Sequence, residues 1–404
     1  MQNVSSSNSQ AVNVPKLRFP GFESEWETSC IGNFGSFYKG APLSKADISD
    51  NGIPFVLYGE LYTTYNEVAT EIIRKTEATV GDEYISESGD VIIPTSGETA
   101  EDIATATCIM KPGVILAGDL CIMRPNKIDG RFLSYIINHK AKYAIARIAQ
   151  GKSVVHIRPD EVEQIKVSYP SKSEQDKILC FLGLLSQKIE KQQQLIDSLK
   201  LYKRGALNSL FNRTLQFDKN ATWVKKRIDE IFAERCERAS GNEQLLAVTI
   251  NNGVQIRDAI DKKDNSSDDK NNYKKVYKGD IAYNTMRMWQ GASGCSSFDG
   301  IVSPAYTVIF PIKKEEQNII FWSFYFKDRE LIKTFQKFSQ GLTSDTWNLK
   351  YTQMASIRVF VPRYSEQCKI AEFLTSFDEK INCEESRLNH LQKLKHGLLN
   401  NMFV

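Results

Sequence analysis

Residues 173–211 and 365–403 are two copies of one segment, and that repeat constrains the whole chain. The copies align without a gap at an offset of 192, with 15 of 39 positions identical. The identities open on Ser-Glu-Gln and run through Lys177/Lys369, Ile178/Ile370, Phe181/Phe373, Leu182/Leu374, Lys188/Lys380 and Ile189/Ile381. They close on Gly205/Gly397, Leu207/Leu399, Asn208/Asn400 and Phe211/Phe403. Fainter echoes lie upstream: Gly89-Asp90-Val91 answers Gly279-Asp280-Ile281, and Gln150-Gly151 answers Gln340-Gly341. Leu17-Arg18-Phe19 with Trp26 answers Leu215-Gln216-Phe217 with Trp223. A period near 190 is far longer than the roughly 20–50 residues of a solenoid unit. It is a duplicated domain pair, and the duplication predicts an internal pseudo-two-fold.

Each copy carries one apolar seam. In the first it runs through Ile178, Leu182, Leu185, Ile189, Ile196, Leu199 and Tyr202. In the second it runs through Ile370, Leu374, Phe377, Ile381, Leu388, Leu391 and then Leu394 or Lys395. The spacing approximates the 3.5-residue period of a coiled coil. Gln192 and Glu384 interrupt the two seams at equivalent positions, as register-fixing polar residues do. The Ser at each start is expected as the N-cap, with Glu one residue on in the first turn. Thirty-nine helical residues span roughly 58 Å, well beyond an ordinary globular helix. The expectation is two long helices pairing antiparallel as a spacer, against the plainer reading of two amphipathic helices packed on their own domains.

The segments between mix short β-rich runs (Val91–Ile93, Val167–Tyr169, Val308–Phe310, Val359–Val361) with helical spacing over Phe132–Gln150 and Ile319–Gln340. The predicted architecture is α+β. A flexible tail covers 1–14, a first globular module 15–170, a helical spacer 171–212, a second module 213–362 and a second spacer 363–404. Residues 1–14 lack the basic and apolar regions of a signal peptide, and no apolar run nears 18 residues. With eight cysteines and no Cys-x-x-Cys, neither a zinc ribbon nor a disulfide framework is expected, and the chain reads as cytoplasmic.

No catalytic motif emerges. The nearest approach to a phosphate loop, Gly113 to Asp119, has Asp where Lys is required. Pro159-Asp160 lacks the acidic and Lys residues of a nuclease signature. His139, His156, His390 and His396 form no metal motif and are expected to be solvated or capping. The expectation is a non-catalytic chain without a metal or cofactor of its own.

Paired loops do recur. In the first module Thr95, Ser96 and Gly97 follow a strand, and Lys152 and Ser153 follow Gln150-Gly151. In the second, Asn284, Arg287, Trp289 and Gln290 follow the matching strand, and Thr343 and Ser344 follow Gln340-Gly341. Gly admits close backbone approach, and Ser, Thr, Asn and Gln donate to phosphate or base edges. Arg287 suits a guanine edge, and Trp289 suits packing on sugar or base. The plainer reading makes these turn residues and Trp289 a core side chain. A net charge of +3, from 52 basic and 49 acidic residues, adds no argument for nucleic acid by itself.

The paired segments opening Ser-Glu-Gln-x-Lys-Ile and closing Gly-x-Leu-Asn-x-x-Phe resemble the specificity subunit of type I restriction-modification systems. The runs Leu57-Tyr58-Gly59-Glu60-Leu61-Tyr62, Pro94 to Glu98 and Tyr283 to Gly294 are similar to that family's target-recognition domains. The resemblance covers about Pro15 to Val404. It implies two recognition domains, each reading half of a split double-stranded DNA sequence, and an antiparallel coiled coil that sets the gap. It further implies two docked methyltransferase subunits using S-adenosylmethionine on adenine N6, and motor-nuclease subunits using ATP and Mg. Two other readings stay open: a structural coiled-coil adaptor whose modules bind protein, and a self-contained nuclease or methyltransferase with degenerate motifs.

Overall fold

The computed structural model describes residues 13–151, 154–218, 221–240, 243–250, 253–260 and 269–404. The chain forms two compact units, 1–191 with 388–404, and 192–387. Each unit holds one mixed domain plus the beginning of one long helix and the end of the other. Most of the expected tail lies outside the described residues. Its last part does not hang free, because Asn13 and Trp26 exchange bonds: Trp26 N–H donates to Asn13 O at 2.9 Å and Asn13 Nδ2 to Trp26 O.

In the first unit a five-stranded sheet runs in the order Gly35–Lys39, Leu120–Pro125, Asp90–Pro94, Thr107–Ile109, Val68–Ala69. All neighbours are antiparallel except the last pair. The second unit has a four-stranded antiparallel counterpart: Phe232–Glu234, Tyr306–Pro311, Ile281–Asn284, Ser293–Cys295. Each domain is closed by an antiparallel ribbon between its first and last strands. These are Glu27–Cys30 with Lys166–Tyr169, and Val224–Arg227 with Arg358–Val361. The expected helical stretches are Gly130–Ile136 and Lys142–Ile148, joined through a π turn at Ile137–Ala141. Their counterparts, Ile319–Tyr325 and Arg329–Phe338, are separate helices.

The long helices are Lys172–Phe211 and Tyr364–Met402. Ser173 and Ser365 therefore lie inside the first turn and are not N-caps. The repeated Glu and Gln do the anchoring instead. Gln175, 2 % exposed, donates to Pro170 O at 2.9 Å and accepts from Asp129 N–H at 3.2 Å, and Asp129 caps the helix Gly130–Ile136. Gln367 donates to Pro362 O at 3.0 Å and accepts from Asn318 N–H at 2.9 Å, and Asn318 caps Ile319–Tyr325. Beside them Glu174 takes two 2.7 Å bonds from Arg18, and Glu366 accepts from Phe217 N–H at 3.0 Å. Phe19 meets Phe181 edge-on, as Phe217 meets Phe373. Ser-Glu-Gln is thus a clip that joins each long helix to the domain preceding it.

In the first unit the start of the first helix (Ile178, Leu182) and the end of the second (Leu399, Met402, Phe403) enter one core with Trp26 and Phe132. In the second unit the end of the first helix (Leu210, Phe211) and the start of the second (Ile370, Leu374) enter a core with Phe321 and Trp322. The helices are antiparallel, because in the second unit Lys203 bonds Asp378 at 2.5 Å and Gln192 bonds Glu384 at 2.8 Å. Of the seam, Ile178, Leu182, Leu185, Ile196, Ile370, Leu374, Ile381 and Leu391 are buried, and Ile189, Leu199, Phe377 and Leu388 half-buried. The seam does not end on Tyr202 and Leu394, which are exposed. It ends on the identical Lys203 and Lys395, whose ammonium groups lie over the rings of Phe324 and Tyr135 at 5.1 and 5.7 Å.

Lys395 also bonds Glu67 at 3.0 Å, and the other oxygen of Glu67 meets His139 Nε2 at 2.8 Å. Burial alone would raise the Glu67 carboxyl, but the His139 bond and the Lys395 charge outweigh it and hold it at about 2. His139 is neither solvated nor a cap. It sits in the π turn and ties that turn to the end of the second long helix through Glu67.

Candidate nucleic-acid interface

Each domain brings its two singled-out loops together. In the first, Ser96–Gly97 pairs antiparallel with Val155–His156. Gln150 and His156 exchange backbone bonds of 3.0 and 2.8 Å, closing a hairpin. Gly151 turns it at φ +140°, where a Cβ would fall 1.9 Å from Val154 O, so a side chain is excluded there. In the second domain Gln340 and Asn348 exchange bonds of 3.0 and 2.8 Å, and Gly341 has φ +138° with the Thr346 backbone in the way of any Cβ. The adjoining loop is tied on by Leu349 N–H to Thr285 O at 2.9 Å, and by Trp289 set edge-on to Trp347 at 5.2 Å. The faint repeat Gln-Gly therefore marks the same hairpin twice.

The strand feeding each loop is anchored alike. Asp90, 1 % exposed, holds Arg124 through two 2.9 Å bonds and accepts from Glu87 N–H at 2.8 Å. Asp280 holds Arg235 through bonds of 2.6 and 3.0 Å and accepts from Tyr277 N–H at 2.9 Å. The arginine sits on the strand next to the edge, Leu120–Pro125, in the first domain and just past the edge strand Phe232–Glu234 in the second. An aromatic ring faces it across the strand pair, Tyr38 on the edge strand in the first domain and Phe310 on the strand next to the edge in the second, where Arg235 also lies over the Tyr277 ring at 4.6 Å. Only the repeated Gly-Asp signalled this anchor in the sequence, because the partner arginines are not at matching positions.

The residues singled out from sequence differ in what they present. Ser96 and Gly97 are buried. The Ser96 hydroxyl meets His156 Nδ1 at 2.9 Å, and its carbonyl accepts from Tyr62 at 2.9 Å, so this part of the loop supports the hairpin. Thr95 is half-buried, and its backbone bonds Asp119 O and Ile157 N–H. Lys152 and Ser153 lie outside the described residues. In the second domain Arg287, Thr343 and Ser344 are exposed, and Asn284, Trp289 and Gln290 are half-buried. Asn284 Oδ1 accepts from Met286 N–H at 3.0 Å, and the Trp289 indole donates to Met286 O at 3.0 Å, so both stiffen the loop. Trp289 is neither core nor free. At the foot of the hairpin lies a cleft of about 340 Å³, bordered by Thr285, Met286, Asn348, Lys350 and Thr352. Asn348 Oδ1 is buried there without a bonding partner, whereas the matching His156 is satisfied by Ser96.

A solvent-facing guanidinium and hydroxyls on two stiffened loops offer hydrogen-bond donors. Among the described residues, no three His, Cys, Asp or Glu side chains are placed to hold a metal ion, and no helix is long and apolar enough to cross a membrane.

Residues 23–201 and 220–393 match the type I restriction modification DNA specificity domain. The chain belongs to that family and is a specificity subunit of a type I restriction-modification system. Among curated proteins it is similar to the type I restriction enzyme MjaVIII specificity subunit of Methanocaldococcus jannaschii, 24 % identical over 95 % of this chain and 92 % of that one. Its fold is similar to that of the type I S subunit from M. genitalium, with a TM-score of 0.59 at 16 % identity over 97 % and 99 % of the two chains. It is similar also to a chain from a structure described as the basis of complex assembly and conformational transition of the type I R-M system. There the TM-score is 0.56 at 15 % identity over 96 % and 99 %. The family is non-catalytic and recognises DNA within a larger assembly.

Proposed function

We propose that this chain is the DNA-reading scaffold of its complex, each domain reading one half of a split duplex target. The observation that supports this most is the duplicated hairpin with its adjoining loop, built twice on the same anchor and carrying different exposed side chains in the two domains. A shared frame with differing surface is what two independent half-site readers need. Residues 15–170 and 213–362 are the target-recognition domains. Thr95, Arg287, Gln290, Thr343 and Ser344 are their candidate contacts, with Lys152 and Ser153, which follow Gln150-Gly151 in the sequence. Ser96, Gly97, Asn284 and Trp289 shape the loops.

The long helices, 171–212 and 363–404, set the gap between half-sites and dock two methyltransferase subunits. Those subunits bring S-adenosylmethionine and methylate adenine N6, and motor-nuclease subunits bring ATP and Mg for cleavage in the cytoplasm. The test exchanges residues 15–170 for another recognition domain in the assembled methyltransferase complex and maps the methylated sequence. One half-site should change and the other stay. A change in both, or in neither, overturns the modular reading.

A further inference from the structure

The tip of the second hairpin carries a side chain that the fold does not use. Leu342 is 101 % exposed and follows Gly341, whose φ of +138° fixes the turn. The hairpin behind it is stiff: Gln340 and Asn348 close it, Thr346 Oγ1 accepts from Thr343 N–H at 3.1 Å, and Trp347 packs on Trp289. An aliphatic side chain is therefore held in water by a rigid support. The first domain's hairpin also shows an aliphatic group, Val154, 48 % exposed.

The charges around the hairpin sort by position. Cationic Lys337 ends the helix leading in, Lys350 follows the hairpin, and exposed Arg287 stands on the adjoining loop. The tip itself carries Leu342, Thr343, Ser344 and the carboxylate of Asp345, all exposed. A carboxylate is repelled by phosphate but accepts from base amines, so this distribution lets Lys337 and Lys350 take the backbone and sets the tip, with Arg287 beside it, toward base edges. Leucine has no donor or acceptor, and the only apolar group a base pair displays in the major groove is the C5 methyl of thymine.

We propose that Leu342 is a specificity-determining residue that packs against the methyl group of one thymine in the half-site read by the second domain. This rests on the half-site reading above.

The test uses the complex with its methyltransferase subunits, on duplexes carrying the target found by mapping methylated adenines. Each thymine of that half-site is replaced singly by uracil, which removes only the methyl. At one position uracil should weaken binding by the wild-type complex about 3- to 10-fold, the range for losing one buried methyl. In Leu342→Ala the thymine–uracil difference should vanish at that position alone, with the first half-site read as before. Equal uracil sensitivity in both proteins, no sensitive position, or a half-site without a thymine overturns the role of Leu342 while leaving the half-site reading intact. Absence of any sequence-selective binding by the wild-type complex overturns the half-site reading itself, and this proposal with it.

Discussion

Gln192 and Glu384 hold the same place in the two copies of the repeat, 192 residues apart, and they bond to each other. The Gln192 amide donates to the Glu384 carboxylate at 2.8 Å and to its carbonyl oxygen at 3.1 Å. Lys380 and Arg387 each reach the same carboxylate at 3.0 Å. Equivalent residues that meet their own counterparts are the mark of a self-complementary contact. A polar pair in an otherwise apolar seam penalises every register but one.

The pair should act on register more than on stability. Gln192→Leu alone leaves the carboxylate without its inter-helix partner and should lower the melting temperature. Gln192→Leu with Glu384→Leu should restore it or exceed the wild type. The Gln192 and Lys380 bonds hold the Glu384 carboxyl below its ordinary value. Its contribution is therefore full above the ordinary carboxylate range and lost as pH falls through the lowered value. A double variant less stable than the single one would contradict this account.

Gln175→Ala should cost about 2–3 kcal/mol in denaturant unfolding, because it leaves Pro170 O and the Asp129 N–H without partners in a buried place. Gln367→Ala should cost a similar amount in the second domain. A loss under about 0.5 kcal/mol would mean that water replaces the clip.

Glu67 gives the first unit an acid-sensitive joint. Its carboxyl is held at about 2 against an ordinary 4.5, so its stabilisation is present above pH 4.5 and fades as pH falls toward 2. The difference corresponds to about 3 kcal/mol at neutral pH. Glu67→Gln should lower stability at pH 7 and flatten its decline between pH 5 and 3. Parallel pH curves for the two proteins would remove Glu67 from the explanation.

The hairpin glycines should separate recognition from folding. Gly151→Ala and Gly341→Ala each place a Cβ against backbone in a left-handed conformation, straining a surface hairpin by about 1–3 kcal/mol. Each should impair methylation through one half-site while lowering the melting temperature by only about 2–10 °C, without unfolding the chain. Equal damage to both half-sites would point to a defect in assembly.

What could be read from sequence had local or repeated signals. The seam, the Ser-Glu-Gln opening and the strand before each loop all lie in short stretches with a period or a second copy. The function of Ser-Glu-Gln did not show, because its partners Arg18, Asp129, Phe217 and Asn318 lie far off in the chain. Periodicity placed Tyr202 in the seam, but the next residue, Lys203, finds Asp378 and the Phe324 ring and turns inward instead. Ser96 looked like a free donor because nothing in its neighbourhood announces His156, sixty residues later. Loop chemistry was legible, but which loop side chains face water depends on pairings between distant strands.

The most direct measurement maps modified adenines across the genome by long-read sequencing, with and without this gene. Without the gene one split motif, two short specified parts around a fixed gap, should be lost. Adding one heptad to both long helices should then widen that gap by about three base pairs, from roughly 10 Å of added helix at 3.4 Å per pair. An unchanged adenine pattern, in a strain whose methyltransferase partner is shown to be expressed, would contradict the claim that this chain directs methylation.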